Sequence, residues 1–153
     1  MSLWILDTDS VSLFQRGNLE IARRLNIVDP SEISITIVTV EEQLRGRFQV
    51  IRRAAANDLV LPYNKLQVTF DSLKSFNILR FTPEAQELYT NLINQKIKVG
   101  RQDLRIAAIA LSVDGILVTR QYLSVKGKRG RGKGKEKTFN LYPLTFSPNP
   151  MPS

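Results

Sequence analysis

Neither cysteine nor histidine occurs among the 153 residues of this chain. Without cysteine there are no disulfides and no thiolate metal sites. Without histidine the Ser-His-Asp and Cys-His mechanisms are unavailable, and with them the usual zinc chemistry. Any enzymology must run on carboxylates, lysine, hydroxyls or metals ligated by oxygen. No apolar run approaches the length of about 18 residues that a membrane span needs. The first residues also lack the charged region and small-residue cleavage site of a secretory signal. A cytoplasmic, cysteine-free protein is the expectation.

What is present suits one domain with one substantial core, at 42% hydrophobic residues. The net charge of +8 is unevenly spread: Lys126 to Lys137, KGKRGRGKGKEK, carries seven basic residues and one acid, a net of +6 that leaves +2 for the rest. The basic character therefore belongs to one low-complexity segment, read as flexible. The expected boundaries are a domain over 1–146, with this insertion at 126–137, and a disordered tail over 147–153.

Along the chain, short apolar runs alternate with helical patterns. Trp4-Ile5-Leu6 reads as a buried strand, with Asp9 or Ser10 capping the helix that follows. Glu20 to Leu25 is a second helical stretch. Ile33 to Val40, ISITIVTV, is β-branched and apolar on both faces near its end, as in a central parallel strand. A helix is expected from Thr39 or Val40 through EEQLRGRFQVIRRAAAN. Its Arg45, Arg47, Arg52 and Arg53 read as a solvated face. After a turn at Leu61-Pro62, a helix over Asn64 to Ser75 precedes a strand over Asn77 to Phe81. Thr82-Pro83-Glu84 is a helix start, with the proline at the first position. A further helix, DLRIAAIALSVDG, follows Gly100, then a buried strand over Ile116 to Thr119, and an edge strand within Phe139 to Phe146. Alternation of this kind implies an α/β domain with a mainly parallel sheet.

Ligands of open parallel sheets bind beyond the carboxyl ends of the strands. Three acids map there: Asp7 after the first strand, Glu42 in the first turn of the helix after ISITIVTV, and Asp103 at the start of DLRIAAIAL. Each also has an ordinary structural reading. Asp7 could serve a turn, Thr39-x-x-Glu42 has the form of a capping box, and Asp103 that of an N-cap. Caps have no reason to gather at one sheet edge, however. Two carboxylates ~5 Å apart repel by about 3 kcal/mol at an effective dielectric constant near 20. A cluster of three calls for a cation, and hard oxygen ligands point to Mg²⁺ or Mn²⁺.

LDTDSVSL, VTVEEQLRG, GRQDLRIAAIAL and LVTR follow one another here as in the PIN-domain nucleases, and the set closely resembles VapC-type toxins of bacterial toxin–antitoxin pairs. The resemblance runs from Trp4 to about Tyr122. It implies a three-layer α/β/α fold with a mainly parallel central sheet, and a Mg²⁺-dependent endoribonuclease in which metal-activated water cleaves RNA. The family's acids fall on Asp7, on Glu42 rather than Glu41 in the pattern T-x-x-E-L-x-x-G, with Gln43 where leucine is common, and on Asp103. Asp9, two places after the first acid, is either an additional ligand or the helix cap. Thr119 matches the threonine that ends the fourth strand. An antitoxin partner and a homodimer are implied as well.

Two features depart from the family pattern. Gln121 stands where an aspartate or asparagine usually supplies the fourth polar group, so Thr119 and Gln121 are expected to orient water or substrate rather than bind metal. The alternative is a PIN-like protein that binds RNA with weak or no cleavage. Asp114 cannot substitute, since it lies about 16 Å from Asp103 along the helix at 1.5 Å per residue. The other departure is the basic segment. Lys126, Lys128, Arg129, Arg131, Lys133 and Lys135 read either as an arm gripping RNA phosphates, blind to sequence, or as a solubilising loop.

Overall fold

The computed structural model describes residues 3–26 and 29–119, together with three short strands at 126–128, 136–138 and 141–143. Strand β1 (Trp4–Leu6) leads into helices α1 (Thr8–Gln15) and α2 (Leu19–Asn26). A 3₁₀ turn at Pro30–Glu32 precedes β2 (Ile33–Thr36), which runs directly into the long helix α3 (Ile37–Arg53). Helix α4 (Val60–Lys74), strand β3 (Asn77–Leu79), helices α5 (Pro83–Asn94) and α6 (Arg101–Ser112), and strand β4 (Ile116–Thr119) follow. Strands β5 (Lys126–Lys128), β6 (Glu136–Thr138) and β7 (Leu141–Pro143) complete the set.

The main sheet has the order β3-β2-β1-β4-β7, and every pairing in it is parallel. The edge strand expected within 139–146 is thus β7, at 141–143. Side chains alternate across a strand, and here that alternation builds two cores. Trp4, Leu6, Ile35 and Val118 face one side and pack on Val11 of α1, Ile21 and Leu25 of α2 and Leu73 of α4. Ile5 and Leu117 face the other side and pack on Val38, Ala85, Ile106, Ile109 and Ala110. The result is the α/β/α sandwich expected from the sequence. Helix α6 is apolar almost all round because it is enclosed between the sheet and α5, whose Leu88, Tyr89 and Leu92 meet Leu104, Ala107, Ala108 and Leu111. Truncating a fully buried side chain such as Ile5 to alanine would cost about 2–5 kcal/mol.

Several boundaries differ from the sequence expectations, each for a local reason. The β-branched run 33–40 is strand only to Thr36, whose hydroxyl accepts from the Thr39 amide at 3.2 Å and starts α3 at Ile37, two to three residues early. Thr36, not Thr39, is therefore the cap. The cap of α1 is Asp7 rather than Asp9 or Ser10: its Oδ1 accepts from the Ser10 amide at 2.8 Å. The cap of α6 is Gly100, which places Asp103 in the first turn rather than at the N-cap. Pro62 lies inside the first turn of α4, where its missing N–H has no partner to lose. Helix α3 ends at Arg53, short of Asn57, and β3 ends at Leu79.

Asp114 turns the chain at φ 52° between α6 and β4. At the next residue, Gly115, a Cβ would overlap the end of the buried Ile5 side chain, so any larger residue there would force Ile5 to move. The ends of the basic segment pair as an antiparallel ribbon, with Lys126 opposite Thr138 and Lys128 opposite Glu136. Arg129, Arg131, Lys133, Lys135 and the tail lie outside the described residues. Among the described residues no helix is long and apolar enough to cross a membrane.

Candidate active site

Because the strands run parallel, the helices that follow β1 and β2 start at the same edge of the sheet. Helix α6, which runs antiparallel into β4, starts there too. That edge receives Asp7, Glu42 and Asp103, the three acids expected from the sequence. Asp7 is fixed most firmly. Its amide donates to the Val118 carbonyl at 3.1 Å, tying it to the end of β4. Ser10, fully buried, donates its hydroxyl to the same carbonyl at 3.1 Å. Thr119, buried at the end of β4, hydrogen-bonds the Asp7 carboxylate through its side chain.

Glu42 is half-buried and accepts from the Thr8 hydroxyl at 2.9 Å, while Thr8 also contacts the Thr39 hydroxyl at 3.2 Å. Thr8 is the residue immediately after Asp7, so this bond sets the second acid relative to the first. Sequence reading passed over Thr8, although an LDTDS sequence places a hydroxyl on the first helical residue. Asp103, also half-buried, stands close to the Gly100 backbone: a Cβ there would lie 3.5 Å from Asp103 Oδ2.

The electrostatics set these three apart. Burial pushes the carboxyl of Asp7 up, against hydrogen bonds from Ser10 and Thr119 that oppose it; the charge of Asp9 adds to the rise. Burial also raises Glu42, the Thr8 bond opposes, and Asp103 and Asp9 raise it further. Asp103 is raised by burial and then by Asp7 and Asp9. Thus Glu42 feels Asp103, Asp103 feels Asp7, and exposed Asp9, in the first turn of α1, acts on all three, while Arg45 draws Glu42 down slightly. Among the described residues no Lys or Arg forms an ion pair with any of them. The adjacent Glu41, by contrast, points away, accepting from Arg45 Nη2 at 2.8 Å and Gln102 Nε2 at 3.0 Å.

A shared cation would suit the chemistry of this donor set. Its atoms are carboxylate and hydroxyl oxygens, without nitrogen or sulfur, and its charges are partly desolvated, with Arg45 near Glu42 the one opposing cation among the described residues. Among the described residues no three acids stand close enough together to hold a metal ion, so the tight cluster of three carboxylates expected from the sequence is not formed. Thr119 lies where expected, against Asp7. Gln121 lies outside the described residues, as do the side chains of Lys126 and Lys128.

Beside Glu42 a cleft of about 500 Å³ opens between α1, α3 and α4. Its lining offers polar and apolar surface in similar measure, and includes Ser12, Gln15, Arg16, Gln43, Arg47 and Ser72. Arg47 is not simply solvated, as its place on the arginine side of α3 suggested: its Nε donates to the buried Thr69 hydroxyl at 2.9 Å. Gly46 also borders the cleft. In mid-helix glycine costs about 1 kcal/mol relative to alanine, and a Cβ built here would meet nothing within 4 Å.

The sequence matches no protein-family model and no curated protein. The fold does match solved structures. A toxin–antitoxin complex from Klebsiella pneumoniae aligns at 24% identity over 76% of this chain and 85% of the other, with a TM-score of 0.59. DNA-bound VapBC from Salmonella typhimurium aligns at 22% over 78% and 87%, with a TM-score of 0.62. FitAcB from Neisseria gonorrhoeae aligns at 21% over 78% and 88%, with a TM-score of 0.60. At these identities the likeness is one of fold, the PIN-like α/β/α arrangement.

Proposed function

We propose that this chain is a Mg²⁺- or Mn²⁺-dependent endoribonuclease of the PIN type and the toxin of a toxin–antitoxin pair. The observation that carries the reading is the placement of Asp7, Glu42 and Asp103 at one sheet edge, each partly desolvated and each raised by the charge of a neighbouring carboxylate. Those three residues would hold the ion, with Asp9 within electrostatic reach. When bound, such an ion supplies acidity to a water for in-line attack on a phosphodiester and charge compensation at the leaving oxygen.

The chain's own contribution is positioning. Ser10 and Thr119 fix the Asp7 carboxylate, and Thr8 fixes Glu42. Partial burial excludes water that would screen the site. Thr119 and Gln121 orient water or substrate. The basic residues Lys126, Lys128, Arg129, Arg131, Lys133 and Lys135 add phosphate affinity without base choice.

An antitoxin and a second copy of the chain are the proposed protein partners, in a cytoplasmic setting. Support comes from apolar surface left open on α4, where Val60, Leu61 and Val68 are 77%, 59% and 68% exposed. The toxin–antitoxin nature of the structural neighbours adds to it.

The test is cleavage of single-stranded RNA by the purified chain. Mg²⁺ should support cleavage, and EDTA or Asp7→Asn should abolish it. Binding of RNA without cleavage under any divalent ion would favour the second reading, an RNA-binding protein of low turnover. The Gln121 departure and the absence of a finished acid cage among the described residues point that way.

A further inference from the structure

The cleft between α1, α3 and α4 is not needed to hold an ion, yet it opens directly off Thr8 and Glu42. Its size falls within the roughly 300–1,000 Å³ of ligand sites. Across its mouth runs a chain of neutral hydrogen-bonding groups from all three helices. Gln43 Nε2 donates to Ser12 Oγ at 3.2 Å, and Gln15 Nε2 donates to Gln43 Oε1 at 3.0 Å and to Ser72 Oγ at 3.2 Å. Two guanidinium groups flank the chain. Arg47 is held in place by Thr69, and Arg16 is exposed at the end of α1.

Gly46 completes the picture. Nothing packs where its side chain would be, its backbone is helical, and no turn or close approach within the domain accounts for glycine there. What the missing side chain leaves is an open stretch of α3 one turn from Glu42, on the wall of the cleft.

We infer that this cleft is a nucleotide subsite: a residue of single-stranded RNA next to the scissile bond lies along α3 at Gly46. Its phosphate sits against Arg16 and Arg47, and the Gln15 and Gln43 amides face a base edge. The inference rests on the nuclease reading for the identity of the strand. Charge favours nucleic acid over an acidic peptide only in part. The Gln15 and Gln43 amides add to it by presenting donors and acceptors together, the pattern that base edges require. Paired with each other in the free protein, the amides are already ordered and would exchange partners on binding.

Fluorescence anisotropy with a labelled single-stranded oligoribonucleotide tests this, in an Asp7→Asn background so that the probe stays intact. Gly46→Leu should fill the cleft, melt no lower than its parent, and weaken binding about tenfold or more, an effect of the size a lost charge-assisted contact set gives. Arg47→Gln should weaken it similarly and flatten its salt dependence by about one phosphate contact. Arg16→Gln, at an exposed site that cannot disturb folding, gives the same direction should Gly46→Leu fail to fold.

RNA affinity unchanged within twofold in these variants overturns the inference. Loss of binding to a glutamate-rich peptide, with RNA binding intact, overturns it in favour of a protein ligand. The two readings fail separately. A wild-type chain that cleaves RNA while Gly46→Leu keeps the same KM retains the nuclease and loses the subsite. A chain that binds RNA through the cleft but never cleaves retains the subsite and loses the nuclease.

Discussion

Glu41 and Glu42 are consecutive residues of α3 in opposite electrostatic settings. Glu41 is exposed, accepts from Gln102 and Arg45, and has its carboxyl drawn below the ordinary range, chiefly by the Gln102 hydrogen bond. Glu42 is half-buried beside Thr8, raised by burial and by Asp103 and Asp9. The same contrast holds more widely. Asp71 on the outside of α4 has Lys74 at 3.4 Å, while Asp7 and Asp103 have no ion pair among the described residues. Among the described residues the one basic side chain felt by these acids is Arg45, which acts on Glu42 less strongly than burial does. Acids placed for folding alone are met by partners or water. Acids half-withdrawn from water beside one another, with hydrogen bonds that offset burial only in part, would be stabilised further by an added cation.

The strongest way to break that comparison is to neutralise one edge acid. Asp7→Asn should lower RNA cleavage by roughly 10³-fold, the scale of several kcal/mol that a metal site supplies. It should also raise the melting temperature in EDTA, since asparagine caps a helix as well as aspartate without the desolvated charge. Asp7→Ala forfeits the cap as well, about 1 kcal/mol, and should melt below Asp7→Asn. Circular dichroism melts with and without Mg²⁺ separate the two effects. Equal or lower stability of Asp7→Asn in EDTA would mean the charge is already compensated.

A smaller effect is expected from Thr8→Val, which keeps the side-chain shape and removes the bond to Glu42. Outer-shell partners of metal ligands are worth about 10–100-fold in affinity or activity, and the loss should appear as a raised metal requirement. A variant indistinguishable from wild type at limiting Mn²⁺ would show that Glu42 needs no orienting group.

The pH dependence sharpens the contrast further. Burial raises Asp7, Glu42 and Asp103 above their ordinary values of 3.8, 4.5 and 3.8. Between those values and the raised ones the folded chain holds more protons than the unfolded chain. Their contribution to metal-free stability therefore falls as pH rises through the raised values, and is regained on acidification. Subtracting the Asp7→Asn melting curve from that of wild type isolates the Asp7 part. Mg²⁺, which favours the ionised forms, should reverse the slope.

The smallest effect belongs to Glu41→Gln. It breaks an exposed pair with Arg45, worth about 0–1 kcal/mol at most, and should leave cleavage within about threefold, near half a kcal/mol by the same conversion. A large loss would put the wrong glutamate in the site.

Much of this was legible in the amino-acid order. Short apolar runs spaced by helical patterns gave the parallel sheet, and chain direction then placed Asp7, Glu42 and Asp103 at one edge. Capping was less legible. In ISITIVTV, β-branched propensity argues for strand through Val40, but a side-chain-to-backbone bond from Thr36 starts a helix that tertiary packing of Val38 and Val40 sustains. Thr39-x-x-Glu42 resembles a capping box because the site acid falls three residues after a threonine by coincidence of register. The Thr8–Glu42 bond and the Gln15–Gln43–Ser12 chain were beyond sequence, since each joins residues about thirty apart through side-chain geometry alone.

Manganese titration of the free chain, followed by the electron paramagnetic resonance signal of unbound Mn²⁺, addresses the central claim without depending on any RNA. Wild type should bind the ion and quench the signal in a saturable way, and the Asp7→Asn/Asp103→Asn double variant should not. Equal binding by both proteins, or none by wild type, would contradict the assignment of these acids to a metal.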